Sequence, residues 1–344
     1  DPREAATLAG VDLVVSHQDK ERLLERVHDE FGADFAAPGT NKPSPVPYLP
    51  LHFGNSRALV KIEDGCNMRC SFCVIPHTRG SQRSRPLPEV LTQVQSLAAA
   101  GYQEVVITGV QISSYRWQGR GLFELTRELL ERTEIPRLRL TSIAPWQFDS
   151  RLLDLFSSDR LCRHVHLSLQ SGCSETLRRM RRPYTATEFA ELVKRLRHRI
   201  AGLAITTDII VGFPGETDAE FAASLEFARR MEFARLHAFP YSSRAGTEAA
   251  AMADPVDPAV KRDRMQQMLA VARAGQERFE ARHVDEPARV LWEYQRQGTW
   301  YGMTDNYLRV VVSSDEDLAH RITAVALANH HGTGLTCEPL APNQ

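Results

Sequence analysis

The sequence predicts an α/β protein built as an incomplete (β/α)6 barrel, followed by a small all-β barrel. Between residues 57 and 255, short apolar runs rich in β-branched residues alternate with helical segments, an order typical of a parallel sheet. From residue 284 onward, β-prone runs follow one another with no helix between them. The chain has 344 residues, which is enough for two or three domains with their own cores.

Six runs are predicted as the parallel strands, with helices between most of them. The strands are 58–62, 105–110, 138–143, 164–169, 205–212 and 236–241, and the helices are 88–100, 121–132, 187–199 and 217–230. Gly101 follows the first of these helices and is a typical helix stop. In α/β barrels the reactive groups lie at the carboxyl ends of the strands, so we expect the functional site at that end.

Two segments of different character precede the barrel. Residues 1–32 contain a β-like run, Val11–Val15, and a helix with Leu23, Leu24 and Val27 on one side. Because this segment is too small to fold alone and begins without an initiator Met, we expect it to be the tail of an N-terminal α/β domain in a longer protein. Residues 33–56 contain five prolines, which indicates an extended linker.

The C-terminal region begins with a long helix. Residues 256–283 are predicted as a charged connecting helix, with Met268 among its packing residues. The domain at 284–344 is predicted as a small antiparallel barrel. Its expected strands are 288–294, 299–304, 307–312 and 321–327.

Composition places the chain among ordinary globular proteins. The sequence is 42% apolar and 25% charged, with a formal net charge of −1, so binding of a nucleic acid would depend on local basic patches. No apolar run has the length of a membrane span. The six cysteines are unevenly spaced, unlike a secreted disulfide framework. We therefore expect a cytoplasmic protein that does not bind membranes.

The strongest motif is formed by Cys66, Cys70 and Cys73, spaced C-x3-C-x2-C. A 4Fe-4S cluster normally takes four thiolates, so three would leave one iron with an open position. The alternative is a zinc site completed by His77, although zinc ligands usually come as two separated pairs. Four arginines in the same stretch supply charge that suits thiolates, carboxylates or phosphates; they are Arg69, Arg79, Arg83 and Arg85.

With Phe72 before the last cysteine, the motif resembles that of the radical S-adenosylmethionine (SAM) enzymes. The stretch KIEDGCNMRCSFCVIPHTRGSQRSR resembles their methylthiotransferase branch, in particular the tRNA threonylcarbamoyladenosine methylthiotransferases. The resemblance implies a radical SAM barrel whose open iron chelates SAM, with Phe72 at the adenine. It also implies that the C-terminal barrel, which contains GMTDNYLRV, is a TRAM domain, an RNA-binding barrel of OB-like shape.

The resemblance assigns further residues to cofactor binding, and none to catalysis beyond the cluster. Thr108 and Gly109 would bind the amino group of SAM, and the segment around Gln170 and Ser171 would reach its ribose and carboxylate. The remaining cofactor contacts expected at the strand ends are Arg182, Asp208 and Phe239. Without the resemblance, a Thr-Gly pair is usually only a turn, and an aromatic such as Phe239 is equally often part of a core.

Aromatic and arginine side chains interleave in the C-terminal domain, as RNA-binding surfaces require. The expected RNA contacts are Arg289, Arg296, Trp300, Tyr307 and Arg309. The alternative is that half of the aromatic rings fill the core of the small barrel. The expected partners are tRNA and a flavodoxin-like or ferredoxin-like electron donor, and the protein is expected to be a monomer.

The resemblance implies that SAM cleavage leads to a 2-methylthio group on threonylcarbamoyladenosine next to the anticodon. Three alternatives stay open: an isopentenyladenosine tRNA methylthiotransferase, a ribosomal-protein aspartate methylthiotransferase, or a noncatalytic RNA-binding protein with a structural cluster. The family uses a second 4Fe-4S cluster on three N-terminal cysteines, whereas no cysteine precedes Cys66. We therefore expect that cluster only in the intact protein, and SAM cleavage without complete methylthiolation from this chain.

Overall fold

The computed structural model describes residues 2–16, 19, 22–32, 56–332 and 334–340. The predicted linker falls almost wholly outside these residues. Helices α1 (Pro2–Ala5) and α2 (Leu23–Phe31) lie in the N-terminal segment. The strand predicted at Val11–Val15 is wrong: residues 11–16 are not a strand, and no described segment pairs with them. A lone strand leaves its backbone polar groups without a ladder partner.

The six predicted parallel strands of the large barrel are present. The strands of this region are β1 (Arg57–Lys61), β2 (Glu63–Asp64), β3 (Arg83–Ser84), β4 (Glu104–Thr108), β5 (Arg137–Leu140), β6 (His164–His166), β7 (Ala204–Val211) and β8 (Arg235–Pro240). Parallel pairing gives the orders β1-β4-β5 and β6-β7-β8. Parallel bridges between Leu138 and Leu161 and between Ile143 and Leu167 join the two halves.

The helices of this region lie between and after the strands, and most of them cover the outer face of the sheet. They are α3 (Ile75–Arg79), α4 (Leu87–Ala99), α5 (Leu122–Arg132), α6 (Leu152–Leu155), α7 (Ser174–Arg179), α8 (Ala186–Arg199), α9 (Asp218–Met231) and α10 (Pro258–Ala281). Because strand side chains alternate between faces, Ala58 and Val60 pack into the core with these helices, whereas Leu59 points the other way. Leu59 is 69% exposed, so the inner face of the barrel is open to solvent.

The C-terminal region forms a closed five-stranded barrel. Its strands are β9 (Pro287–Arg296), β10 (Thr299–Thr304), β11 (Arg309–Ser313), β12 (Ile322–His331) and β13 (Gly334–Pro339). The sequence predicted four strands and missed β13. The predicted antiparallel pairing is found in four of the five neighbouring pairs, and the fifth pair, β11 and β13, is parallel. A closed ring with an odd number of strands cannot alternate direction throughout, so at least one pair must be parallel.

The small barrel closes the large one at the amino ends of its strands, which we call the floor. Arg139 bonds both oxygens of Glu104, at 2.7 and 3.1 Å, and donates to the backbone oxygen of Asp305 at 2.8 Å. Arg163 bonds the carboxylate of Asp305 at 2.7 and 3.1 Å. These charge-assisted bonds attach the 303–307 turn to the floor. The opposite end, at the carboxyl ends of the strands, is the mouth.

No described helix is both long enough and apolar enough to cross a membrane.

Candidate cofactor site at the barrel mouth

The cysteine loop begins where β1 ends, and a two-strand hairpin closes it. β2 and β3 pair antiparallel through Glu63–Ser84 and Asp64–Arg83, so the two ends of the loop are held together. Inside it, the Cys66 backbone N–H donates to the Gly80 oxygen at 3.1 Å. Cys66, Cys70 and Cys73 are all half-buried free thiols, so they combine partial shielding with access from the mouth.

The loop is also tied to the segment that follows β6. The Ser71 hydroxyl donates to the backbone oxygen of Arg179 at 2.8 Å, and the Ser71 N–H donates to that of Met180 at 3.2 Å. The Ser71 oxygen accepts from the Ala249 N–H at 2.8 Å. Backbone groups from two other parts of the chain therefore fix the middle of the cysteine motif.

Arg182 connects this loop to the mouth of the barrel. Its Nη1 lies 3.3 Å from the Sγ of Cys70, and its Nη2 donates to the Ser168 oxygen at 3.0 Å. The guanidinium carbon lies 4.7 Å from the centre of the Trp146 ring and 5.4 Å from that of Tyr184. These contacts hold the guanidinium in place beside the Cys70 sulfur at the edge of the mouth.

The donor set fits an iron–sulfur cluster. Burial raises the pKa of the Cys66 and Cys73 thiols, so without a metal these groups hold their protons at neutral pH. Metal binding would release those protons. Among the described residues, no three His, Cys, Asp or Glu side chains converge as ligands of one metal ion. In a cluster each cysteine binds a different iron, so its thiolates need not share one coordination sphere.

Thr108 and Gly109 lie at the mouth beside a buried carboxylate that the sequence analysis missed. Glu63 is 1% exposed, and its Oε1 accepts from the Gln111 N–H at 2.6 Å. A Cβ at Gly109 would collide with this oxygen, so the glycine makes room for the Glu63 side chain. Burial raises the pKa of Glu63, and its Oε2 has no hydrogen-bond partner in the described chain.

The other predicted cofactor residues lie at or near the mouth with different exposures. Gln170 has a φ of 73°, and both its backbone N–H and its backbone oxygen form hydrogen bonds with β7. Ser171 is fully buried, and its hydroxyl accepts from the Cys173 N–H at 3.2 Å, so it shapes the turn. Phe239 is 50% exposed. Phe72 packs edge-on against Phe213, with ring centres 6.4 Å apart.

Asp208 belongs to a chain of polar groups on the inner face of the barrel. Its Oδ2 lies 3.1 Å from His166 Nε2. Thr206 Oγ1 lies between the two histidines, 3.1 Å from His166 Nδ1 and 3.0 Å from His164 Nε2. The sequence signal was the alternation of polar and apolar residues in HVHLS, which fits a strand with one polar face.

A cavity of about 570 Å³ extends along this inner face. Thr108 and Thr141 line it toward the mouth, and Arg139, His164 and Tyr307 line it toward the floor. Its volume is in the usual range for small-ligand sites. The cavity is therefore large enough to admit a nucleobase on the inner face of the barrel.

The residues expected to contact RNA separate into two groups. Arg289, Arg296 and Arg309 are exposed or half-buried on the small barrel. Trp300 is 6% exposed in the core, and Tyr307 stacks on His164 with ring centres 4.5 Å apart. Trp300 is therefore a core residue, which argues against its predicted contact with RNA, whereas Tyr307 is half-buried and lines the cavity of the large barrel, so its contact with RNA stays a prediction. The exposed aromatic surface is instead Tyr294, whose ring stacks on Tyr301 at 4.9 Å.

Comparison with known proteins agrees with this geometry. Residues 60–228 match the model of the radical SAM superfamily. The chain is 36% identical over 340 residues to the threonylcarbamoyladenosine tRNA methylthiotransferase of Bacillus subtilis, covering 95% of this chain and 75% of that protein. It is 34% identical over 335 residues to the tRNA-2-methylthio-N(6)-dimethylallyladenosine synthase of Wolinella succinogenes, covering 95% of this chain and 74% of that protein.

Among solved structures, the radical SAM methyltransferase TsrM from Kitasatospora setae, with cobalamin and a 4Fe-4S cluster bound, aligns with a TM-score of 0.49 and 23% identity. The alignment covers 57% of this chain and 39% of that one. The family assignment comes instead from the relatives that the chain matches over about three quarters of their length, together with the superfamily match that includes the cysteine loop. This chain belongs to the radical SAM methylthiotransferase family.

Proposed function

We propose that the protein is a tRNA methylthiotransferase acting on N6-threonylcarbamoyladenosine next to the anticodon. Its membership of the family implies a 4Fe-4S cluster and SAM as cofactors. Relatives from Bacillus subtilis and Aquifex aeolicus, 36% and 33% identical, bear the name of this activity. The structural observation that carries the proposal is the half-buried three-cysteine loop at the barrel mouth, with Arg182 against Cys70.

Cys66, Cys70 and Cys73 would hold the cluster. When bound and reduced, the cluster supplies the electron that cleaves the sulfonium of SAM. The residues of this chain would orient the reactants: the turn at Thr108 and Gly109 would bind the amino group of SAM, and Phe72 and Phe239 offer ring faces for the adenine. Arg182 fixes the position of Cys70 and is a candidate partner for the SAM carboxylate.

tRNA would bind along the small barrel, which we interpret as a TRAM domain. Arg289, Arg296 and Arg309 would neutralise phosphates. The exposed ring of Tyr294 offers a stacking face for a base, and this residue also lines the cavity of the large barrel. A base lifted from the anticodon loop would then reach the inner face of the barrel.

Several parts of this proposal rest on the resemblance. They are a flavodoxin-like or ferredoxin-like electron donor, a monomeric state, a cytoplasmic location and a second cluster on cysteines outside this sequence. A second candidate is the isopentenyladenosine branch, since the Wolinella succinogenes relative carries that name at 34% identity.

Mass spectrometry of tRNA nucleosides from cells that lack the protein tests the substrate. We expect the 2-methylthio form of threonylcarbamoyladenosine to disappear, while 2-methylthio-isopentenyladenosine stays. Restoring the intact protein should bring the product back, and restoring its Cys70→Ala variant should not, because one cluster ligand is missing. Loss of the isopentenyl product instead would overturn the proposal.

A further inference from the structure

The inner face of the large barrel is polar where β6, β7 and β8 lie side by side. The register pairs His164 with Ala204, Thr206 with Arg235, and Asp208 with His237. Among the described residues, Nδ1 of the buried His164 has no hydrogen-bond partner. Burying a hydrocarbon group here would remove water from these groups without replacing their hydrogen bonds, which costs free energy.

Arg235 differs from Arg57 and Arg139, which also lie on this inner face at the floor. Arg57 pairs with Glu293 at 2.5 Å and Arg139 with Glu104 at 2.7 Å. In the described part of the chain, Arg235 forms no ion pair. Its guanidinium lies 5.2 Å from the centre of the Tyr307 ring, close to His164, on which Tyr307 stacks. A half-buried guanidinium that has no carboxylate partner can offer its five N–H donors to an anionic ligand.

The position of Arg235 along the barrel fits such a ligand. Arg235 opposes Thr206, and Phe239 opposes Ile210 four residues further toward the mouth, a rise of roughly 13 Å along a strand. A nucleobase near the cysteine loop would direct a long N6 substituent toward the floor. The Arg235 guanidinium lies beside the Tyr307 ring at the floor, where it would meet the far end of such a substituent.

We propose that Arg235 binds the carboxylate of the N6-threonylcarbamoyl group and thereby sets the choice between the two tRNA substrates of the family. This inference rests on the proposed function and deepens it. The isopentenyl group is a hydrocarbon and offers no partner to Arg235, His164 or His166. The threonylcarbamoyl group carries a carboxylate, a hydroxyl and amide groups, which match the donors and acceptors of the inner face.

Equilibrium binding to three anticodon stem-loops tests the inference. The loops carry threonylcarbamoyladenosine, isopentenyladenosine or unmodified adenosine at the same position. We expect the wild-type chain to prefer the threonylcarbamoyl loop over the unmodified one by about tenfold or more, as for a hydrogen bond to a charged group. Arg235→Leu should bring this ratio close to one, and Arg235→Lys should retain part of it because the charge remains.

The controls separate specificity from folding and from general electrostatics. Arg195→Leu removes an exposed arginine of α8 and should leave the ratio unchanged. Affinity for the unmodified loop should be the same in all variants. A full threonylcarbamoyl preference in Arg235→Leu, or equal loss of affinity for all three loops, would overturn the role of Arg235. If the wild-type chain itself does not prefer the threonylcarbamoyl loop, the result contradicts the proposed substrate, whatever the variants show.

Discussion

At the scale of single residues, Arg182 has the clearest link between geometry and chemistry. Its guanidinium reaches Cys70 Sγ at 3.3 Å and lies on the Trp146 ring. A cationic donor to a ligating sulfur stabilises the more negative, reduced state of a cluster. We therefore predict that Arg182→Gln shifts the midpoint potential of the cluster to more negative values. The variant should still bind about four irons per chain, as the wild-type chain does. Potentiometric titration followed by electron paramagnetic resonance measures this shift.

Arg178→Gln is the matched control for this titration. Arg178 lies on α7, its side chain is 74% exposed, and its only ion pair is with Glu175 among the described residues. Its removal should leave the midpoint potential at the wild-type value. An Arg182→Gln potential equal to that of the control would show that the contact with Cys70 does not tune the cluster.

Individual residues were predictable where spacing along the chain carries the chemistry. The three cysteines lie within eight positions, so the motif is visible in the sequence. Glu63 was missed because its role depends on the backbone N–H of Gln111, 48 residues away. Trp300 and Tyr307 were expected to contact RNA because sequence cannot show which face of a strand or turn meets a core, and the structure buries one ring and stacks the other on His164.

At the scale of elements, the cysteine loop depends on the backbone of Gly65. Its φ is +76°, and a Cβ there would collide with the backbone oxygen of Ser81. We predict that Gly65→Ala forces the β2–β3 hairpin apart and lowers the iron content after reconstitution well below that of the wild-type chain. Iron analysis and the visible absorbance of the cluster measure this loss.

Gly119 supplies a control with the same backbone strain. Its φ is also +76°, but a Cβ there would meet nothing within 4 Å. Gly119→Ala should cost about 1 kcal/mol of stability and leave the iron content unchanged. Equal iron content in both variants would mean that the clash at Ser81 does not control the loop.

Elements were predicted well where the hydrophobic pattern is strong. All six barrel strands and the four helices predicted between them are present, because buried parallel strands are apolar runs and their covering helices are amphipathic. β13 was missed because GLTCEP is short and has a proline at its end, and its pairing with β11 depends on closure of the ring. The strand at 11–15 was wrong because an apolar run alone does not provide a pairing partner.

At the scale of the whole molecule, buried charges hold the two barrels together. Burial alone would raise the pKa of Glu104, but the adjacent Arg139 and Arg137 more than offset this effect and hold the pKa below its ordinary value. A carboxylate with a depressed folded-state pKa contributes stability above its unfolded pKa and loses it as the pH falls through the folded value. The floor should therefore weaken progressively below about pH 5.

Urea unfolding of the wild-type chain and Glu104→Gln across this range tests the role of the buried pair. At pH 7 the variant should lose about 3–5 kcal/mol, because Arg139 is left buried without its full partner. Below pH 5 the wild-type stability should fall toward that of the variant, so that the difference narrows. A difference that stays constant with pH would mean that Glu104 does not titrate with unfolding.

The measurement that tests the central claim most directly is anaerobic reconstitution of this chain with iron and sulfide, followed by incubation with SAM and a reductant. We predict about four irons per chain, a brown chromophore, and release of methionine and 5'-deoxyadenosine, all lost in Cys70→Ala. A single zinc at the three thiols, with no chromophore and no methionine released, would contradict the claim that Cys66, Cys70 and Cys73 hold a SAM-cleaving cluster.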